Sequence, residues 1–571
     1  MRSTVFRLLL IATMLVFASL SAFAGGSGSS NPCPRPAAGS VVQNPPDLFS
    51  SRGVLNVTFN YFTTTDADGR TLFCFVTPNG QEGPTLHVHP GDTLNVTVTN
   101  KVPPPPAGSP TEVVSNSSNQ CGDLTMTQSS LNIHYHGTNT SPACGSDEVI
   151  HTIINSGETF KYSLHFPKNE PPGLYWYHPH VHGIAEAAVQ GGASGAIIVE
   201  GIAAFQPQVA GLPERVLIVR DQVVTSTQTD NVPAWDLTLN YVPIPFPNYP
   251  PAVIQMAPGE KELWRVANAS ADTIIDVQLV FDGKAQTLGV VALDGVPTGS
   301  QDGTVPGSIV PMTDILIPPA GRAEFIVTGP STKVKNAVFQ TLNVSTGPAG
   351  DNDPQRPLAT IQTVKSEPSS LFVIPTSPQP PAWALRFTDV DKQPVAAKRN
   401  LYFSEVISDP NNPASPTNFF ITVQGATPTL FDANNPPAIT TTQGSVEQWT
   451  IANQAPEHHE FHMHQIHFLL QQINGKPATK AQQQFFDMYQ IPFWDGVSST
   501  FPSITVLMDF RGPDIGDFVY HCHILGHEDN GMMAIIRVQP PTSSSTSTTA
   551  TTAAATTSSA TTSSSSQPDF D

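Results

Sequence analysis

Seventeen histidines are spread thinly over 571 residues, except where they gather in four clusters. These are His134-Tyr135-His136-Gly137, Trp176-Tyr177-His178-Pro179-His180-Val181-His182, His459-Glu460-Phe461-His462-Met463-His464, and His521-Cys522-His523 with His527 and Met532 following. Imidazole is a good ligand for copper, zinc, iron and nickel. Successive side chains of a strand face opposite ways, so each His-x-His pair aims two imidazoles to one side. Four such pairs supply more imidazoles than a single ion can use, and the spacing points to a multinuclear metal centre.

Cys522 lies between His521 and His523, and the same alternation turns its sulfur to the other face. One strand then serves two metal sites. A cysteine, two histidines and a weak axial methionine define the electron-transfer copper geometry. Cys522, His527 and Met532 come from one loop and His459 from the preceding cluster. Because neighbouring residues hold the two sites, they are expected within roughly 10 to 15 Å of each other. A zinc store fits poorly: zinc takes four ligands, its structural sites are rich in cysteine, and the His-Cys-His run is left unexplained.

The elements that must position these groups read as strands. Charged residues make up 13% of the chain and proline 56 of 571, close to twice the usual share of about 5%. Short alternating runs such as Val54 to Phe59, Thr93 to Val98, Ala196 to Glu200, Arg215 to Val219 and Ala323 to Val327 are separated by Pro/Gly/Asn turns, the pattern of β-sandwiches. A turn that opens a strand ending at an asparagine recurs as Pro90-Gly91-Asp92 to Asn100, Pro258-Gly259-Glu260 to Asn268, and Gln443-Gly444-Ser445 to Asn453. Three copies suggest three repeated domains. Composition shifts place boundaries near Gly201 to Pro213 and in Pro354 to Pro381. Helical periodicity is weak, with Gly183 to Gln190 a short connecting helix at most.

The ends differ from the body. Arg2 and Arg7 precede an apolar run, Leu8 to Leu20, closed by Ala22-Phe23-Ala24, the form of a secretory signal. No other stretch of about 20 apolar residues is present, so no transmembrane segment is expected in the mature chain. Thr542 to Ser566 holds only serine, threonine and alanine and cannot build a core. Six Asn-x-Ser/Thr sequons start at Asn56, Asn95, Asn116, Asn139, Asn268 and Asn343. A net charge of -20 argues against a nucleic-acid or anionic-membrane partner.

The four clusters, in this order, resemble those of the multicopper oxidases, the family of laccases and bilirubin oxidases. The likeness extends to Gly259-Glu260-Lys261-Glu262-Leu263-Trp264-Arg265-Val266-Ala267-Asn268 and Leu293-Asp294-Gly295-Val296-Pro297, and covers about 45 to 538. It implies an all-β chain of three cupredoxin-like Greek-key β-sandwich domains. The expected organisation is a signal peptide 1–24, domains 25–205, 206–370 and 371–540, and a tail 541–571, with copper ligands in the first and third domains. It also implies four coppers per chain: one type 1, one type 2 and two type 3. By the resemblance, His134 and His462 would hold the type 2 ion. His136, His178 and His523 would hold one type 3 ion, and His180, His464 and His521 the other. Cys522, His459 and His527 would hold the type 1 ion, with Met532 axial. Electrons from a small-molecule donor would pass along Cys522 to His521 and His523 for reduction of O2 to water. Glu528 follows His527 where similar oxidases carry a proton-donating glutamate, and Asp147 lies in the region of an acidic residue near the type 2 ion.

The remaining histidines receive structural roles: His87 and His89 precede a turn where the family offers no ligand. His182, His458 and His467 sit beside complete ligand sets, and His151 and His165 carry no motif. Without Cys522, the cysteines are Cys33, Cys74, Cys121 and Cys144. They allow three pairings, of which Cys121 with Cys144 and Cys33 with Cys74 is preferred because it braces the segment of His134 and His136. The leading expectation is a secreted enzyme, periplasmic if bacterial, that acts as a monomer on phenolic or aromatic donors. The alternatives are a metallo-oxidase for Fe(II) or Cu(I), a bilirubin-oxidase-type enzyme, and a non-catalytic copper protein. Ten methionines, none clustered beyond Met532-Met533, lower the Cu(I) reading. A two-domain nitrite reductase would lack the His-Cys-His strand.

Overall fold

The computed structural model describes residues 31–541 except 117, 301–306, 367–370, 376–386, 410–411 and 413–414. The signal-peptide segment, the Ser/Thr-rich stretch from Thr542 and parts of the second boundary lie outside the described residues.

The chain is all-β, built as three cupredoxin-like sandwiches. Among the described residues, the first pairs a five-stranded with a four-stranded sheet, the second a nine-stranded with a six-stranded, and the third a seven-stranded with a five-stranded. Each encloses its own apolar core, with Phe59, Leu94 and Tyr177 in the first, Trp264, Phe325 and Phe339 in the second, and Trp449, Phe461 and Tyr520 in the third.

The recurring sequence pattern has a structural counterpart in all three. The strands Thr93–Asn100, Lys261–Asn268 and Val446–Asn453 each pair in parallel with an earlier strand and antiparallel with a later one. The glycine opening each turn, Gly91, Gly259 or Gly444, has a positive φ, which a Cβ would strain. Alternation is plain in Thr93–Asn100, where every second residue is buried, as expected of a sheet with one wet face. The closing asparagine is fully buried each time. Its amide donates to two or three carbonyls, and its oxygen accepts the N–H two residues on: Asn100 to Ser129 and Ile154, Asn268 to Thr273 and Ile317, Asn453 to Glu457, Ile491 and Pro492. These side chains do the hydrogen bonding that the strand gives up where it ends. Asn268→Ala would leave two carbonyls and the Ser270 N–H buried without partners, and is expected to destabilise the protein by about 2 to 4 kcal/mol, read in a denaturant titration. Burial also removes Asn139 and Asn268 as accessible sequons.

Strand ends run past the sequence estimates, as in Val54–Thr65, Pro213–Val223 and Arg322–Thr328. Gly195–Val199 is buried along its whole length, because one face joins the first core and Ala196 and Ile198 pack against Val216 and Ile218 of the next sandwich. The connecting helix is Ala185–Gln190. Asp529, far along the chain, accepts the N–H groups of Gly183, Ala185 and Glu186 at its start. Both preferred disulfides are present, Cys33–Cys74 and Cys121–Cys144.

His87 has a structural role. It is 1% exposed, with Nδ1 2.7 Å from Glu200 and Nε2 3.1 Å from Asp47, and it stacks on Phe49. Burial alone would lower its pKa, but the two carboxylates outweigh burial and hold it at about 9. A folded pKa above the unfolded value of about 6.5 means the stabilisation is complete below pH 6.5 and lost as pH rises through 9. Its scale is on the order of 3 kcal/mol. The stability gap between the native chain and His87→Gln should therefore close between pH 6.5 and 9 in parallel denaturant titrations. His89 lies at the surface.

Candidate metal centre

Two sheets bring the clusters together. In the first sandwich, His134–His136 is an edge strand paired with Gly173–His178, which sets His178 opposite His134 and Trp176 opposite His136. In the third, His459–Met463 pairs with Gly516–Cys522, which sets His462 opposite His521 and Phe461 opposite Cys522. Only the first His-x-His lies wholly inside a strand. His180, His464 and His523 fall just beyond strand ends, so simple alternation explains part of their aim and the turns supply the rest.

The eight imidazoles form one buried cluster, each 1% exposed or less. Nε2 of His521 lies 3.2 Å from Nε2 of His180 and 3.2 Å from Nε2 of His464. Ring centroids of His136, His178 and His523 are 5.0 to 5.9 Å apart. His134 stacks on His464 at 3.8 Å and His136 on His462 at 4.0 Å, so residues from opposite ends of the chain alternate through the cluster. Burial, followed by mutual repulsion among the rings, holds His134, His136, His462, His464 and His523 well below the ordinary imidazole pKa. Neutral rings facing each other with lone pairs are what a cation between them requires.

Neighbouring groups fix which nitrogen is free. Asp147, 1% exposed, accepts from the Tyr135 N–H at 2.9 Å and from Gln465 at 2.6 Å. It also accepts from His134 Nδ1 at 3.0 Å. His178 Nδ1 donates to the Pro179 carbonyl, His462 Nδ1 to that of Asp487 and His521 Nδ1 to that of Cys522, each at 2.8 Å. The Nε2 atoms of His134, His178 and His462 are left buried without hydrogen-bond partners. His136 is turned the other way, with Nε2 3.3 Å from Asp487 and Nδ1 unpartnered. Oriented imidazoles of this kind are the ordinary companions of a metal.

On the other side of the same strand, Cys522 Sγ is 3.6 Å from His459 Nδ1 and 3.7 Å from His527 Nδ1, which are 3.1 Å from each other. One point lies about 2 Å from all three atoms, the length of a metal–imidazole bond. Met532 is buried in the same core, and its carbonyl accepts the Cys522 N–H at 3.0 Å. The Glu460 N–H donates to the sulfur at 3.3 Å. Soft sulfur with two imidazoles is ligand chemistry that suits copper, and Cys522, His459 and His527 fit it.

Glu528 is fully buried, with its oxygens 3.8 and 3.9 Å from the outer nitrogens of His180 and His521. Burial and then the neighbouring Asp529 push its pKa well above the ordinary carboxylate range. Burial does the same at Asp147, against the pull of its donors.

Several residues had no signal in the sequence. Arg322 grips Asp487 with both guanidinium arms, and Asp487 also touches His136 and His467. Asp294 accepts from the backbone of Arg322, Asp487 and Met488. Asp294 was visible within the Leu293-to-Pro297 run, though without a role; nothing marked Asp487. Over His527 lies a cavity of about 240 Å³ lined by Glu186, Asp272, Asp351, Glu457 and His458. Glu457 Oε1 sits 3.5 Å from His527 Nε2. His182 packs against Phe431, His458 donates to the Thr346 carbonyl and His467 hydrogen-bonds the Asp294 carbonyl. His151 and His165 face Asn119 and Thr93.

Three cupredoxin-like sandwiches, with one soft trigonal donor set and one eight-imidazole cluster joined by a single strand, carry the donor chemistry of a copper-binding protein. Residues 110–203 and 407–542 both match models described as multicopper oxidase, and the chain belongs to the multicopper oxidase family. A rice protein named multicopper oxidase LPR1 homolog 1 (Oryza sativa subsp. japonica) is 23% identical over 462 residues, 71% of this chain and 74% of its own length. A laccase of Bacillus subtilis is 22% identical over 419 residues, covering 68% and 74%. A solved structure of a Campylobacter jejuni multicopper oxidase, described as a metallo-oxidase, superposes with a TM-score of 0.64 at 19% identity, covering 89% of this chain and 96% of that one. No described helix is long and apolar enough to cross a membrane.

Proposed function

We propose that the chain oxidises a small-molecule donor at the Cys522 site and reduces O2 at the eight-histidine cluster, in the manner of a laccase acting on phenolic or aromatic donors. One observation carries this reading: His521 and Cys522 are adjacent, yet His521 Nε2 meets His180 and His464 while the Cys522 sulfur meets His459 and His527. Four copper ions bound as the ligand assignment expects would take electrons singly and deliver four of them to O2, giving water. The chain's own part is to hold these ligands neutral, fixed and dry. His527, 8% exposed beneath its cavity, is the donor-side edge of the first site. Glu528 and Asp147 are the carboxyl groups placed to move protons beside the cluster. The two disulfides support export to an oxidising compartment, in line with the amino-terminal signal.

The cavity over His527 also supports a metallo-oxidase reading. Glu186, Asp272 and Asp351 line it without a balancing cation among the lining residues; burial raises the pKa of all three, and a positively charged donor such as Fe(II) would offset that cost. The double change Glu186→Gln with Asp351→Asn should raise the KM for Fe(II) about tenfold, as expected for loss of about 1.4 kcal/mol of binding, and leave the KM for a neutral phenol unchanged. Equal rises for both donors would remove charge selection from the account.

The test of the whole reading is to load the purified chain with copper, record its visible spectrum, and follow O2 uptake with a phenol, bilirubin, Cu(I) and Fe(II) in parallel. The expected outcome is an intense blue band with O2 consumption by at least one donor. No blue band, or a blue band with no O2 uptake for any donor, overturns it.

A further inference from the structure

A second cavity, of about 570 Å³, lies between the second and third sandwiches, within the roughly 300 to 1,000 Å³ span of small-molecule sites. It opens beside Leu316, 44% exposed, and runs in to the strand Met488–Ile491. Its walls are apolar: Val310, Met312, Ile317, Phe486 and Met488. The charged groups at its floor are already engaged, Arg322 by Asp487, and Asp294 by three backbone N–H groups. A neutral ligand therefore fits and an ion does not. Gln490 and Tyr489 both line the cavity, and as neighbours on one strand they present opposite faces to it, the Gln490 amide on one side and the Tyr489 ring, packed against the third core, on the other.

The strand Met488–Ile491 is the free edge of the sheet that holds Cys522. Its register with His459–Met463 sets Tyr489 opposite Phe461, and the next pairing sets Phe461 opposite Cys522. Directly paired residues project to the same face. Tyr489, Phe461 and Cys522 thus form one row on the core side, and Phe461, Tyr489 and Cys522 all pack in the third core. Two strand spacings put the Tyr489 backbone roughly 10 Å from that of Cys522. The Phe486 and Tyr489 rings meet edge to face at 5.2 Å and offer an aromatic wall.

We infer that this cavity is a second donor site, for neutral apolar phenols, from which electrons reach Cys522 through the Tyr489 and Phe461 rings rather than through His527. The proposal rests on the oxidase reading above. In the step, a phenol held by Gln490 loses one electron to a cupric ion at Cys522, which becomes cuprous, and its hydroxyl proton leaves to solvent at the cavity mouth. The aryloxyl radical departs by the same opening. Charged donors remain at the carboxylate-lined cleft over His527, so one protein serves two donor classes at two doors.

The probe is 2-naphthol, whose fluorescence anisotropy reports binding to the copper-loaded full chain kept reduced under argon. One saturable site is expected, weakened at least tenfold by Leu316→Glu and by the uncharged, cavity-filling Ala481→Trp. With the oxidised chain under argon, bleaching of the blue band by 2-naphthol should slow at least tenfold in both variants. Bleaching by Fe(II), the charged donor of the cleft over His527, should stay within twofold. Tyr489→Leu should keep naphthol binding within threefold but slow the saturated bleaching rate about tenfold. Unchanged binding in the two mouth variants, or lost binding with an unchanged naphthol bleaching rate, overturns the proposal. Unchanged saturated bleaching in Tyr489→Leu overturns the route. A chain that bleaches with neither donor sinks the oxidase reading and the donor role with it, while the anisotropy titration still decides the binding site.

Discussion

Cys522→Ser is expected to remove the blue colour, take donor oxidation to the level of buffer alone, and lower the copper content by roughly one ion per chain. The sulfur sits 3.6 and 3.7 Å from the two imidazole nitrogens that complete its site. A serine oxygen is a hard donor that neither selects copper nor gives a thiolate its colour or its electronic overlap. The neighbouring cluster draws on other side chains, so its ions should stay bound. Metal analysis, a visible spectrum and O2 uptake on the same sample check the three effects together. A variant that keeps its colour would move the electron-transfer site away from Cys522. The serine side chain is close to isosteric, so a fold-wide collapse is not expected, and far-ultraviolet circular dichroism should match the parent.

The second large effect is expected at Glu528. Replacing it with glutamine preserves shape and burial but removes the exchangeable carboxyl proton beside His180 and His521. Reoxidation of the fully reduced chain by O2 should slow by about 10²- to 10⁴-fold, the scale of a lost general acid. Reduction of the blue site by a donor under argon should stay within twofold. Stopped-flow recording of both half-reactions separates these outcomes. Equal slowing of the two would assign Glu528 to the architecture alone. Reoxidation at the parent rate would assign proton supply elsewhere, with Asp147 the next candidate, because it reaches the cluster through His134 at 3.0 Å.

Much of this was legible in the chain because strand chemistry is local. A two-residue period, turn glycines and a closing asparagine are read within ten residues, and the three copies ending at Asn100, Asn268 and Asn453 gave the three sandwiches. The ligand clusters were equally local, and the His-Cys-His run signalled two sites on one strand. What escaped was chemistry assembled across distance. Asp487 joins Arg322 over 165 positions and His136 over 351, and no short spacing announces such partners. The cleft carboxylates come from Glu186, Asp272, Asp351 and Glu457, four separate parts of the chain, each an ordinary acidic residue until the fold gathers them. Strand ends were misjudged where a neighbouring sandwich buried both faces, as at Gly195–Val199, since alternation fades when there is no wet side. The pairing of His87 with Glu200 and Asp47 was hidden by distance, 113 and 40 positions along the chain.

The interleaving of the cluster also sets an order of events in synthesis. His134, His136, His178 and His180 leave the ribosome more than 280 positions before His462, so a finished first sandwich waits with half of a binding site. Domains fold largely in chain order, and half a site offers too few ligands to hold its ions firmly. If the cluster holds copper as proposed, capture would come as a closing step, after the third sandwich has docked against the first, where Asp529 accepts from the N–H groups at the start of the Ala185–Gln190 helix. A metal held there would rivet the two ends of the polypeptide together. Chains truncated before His521 should be unable to retain the cluster at all.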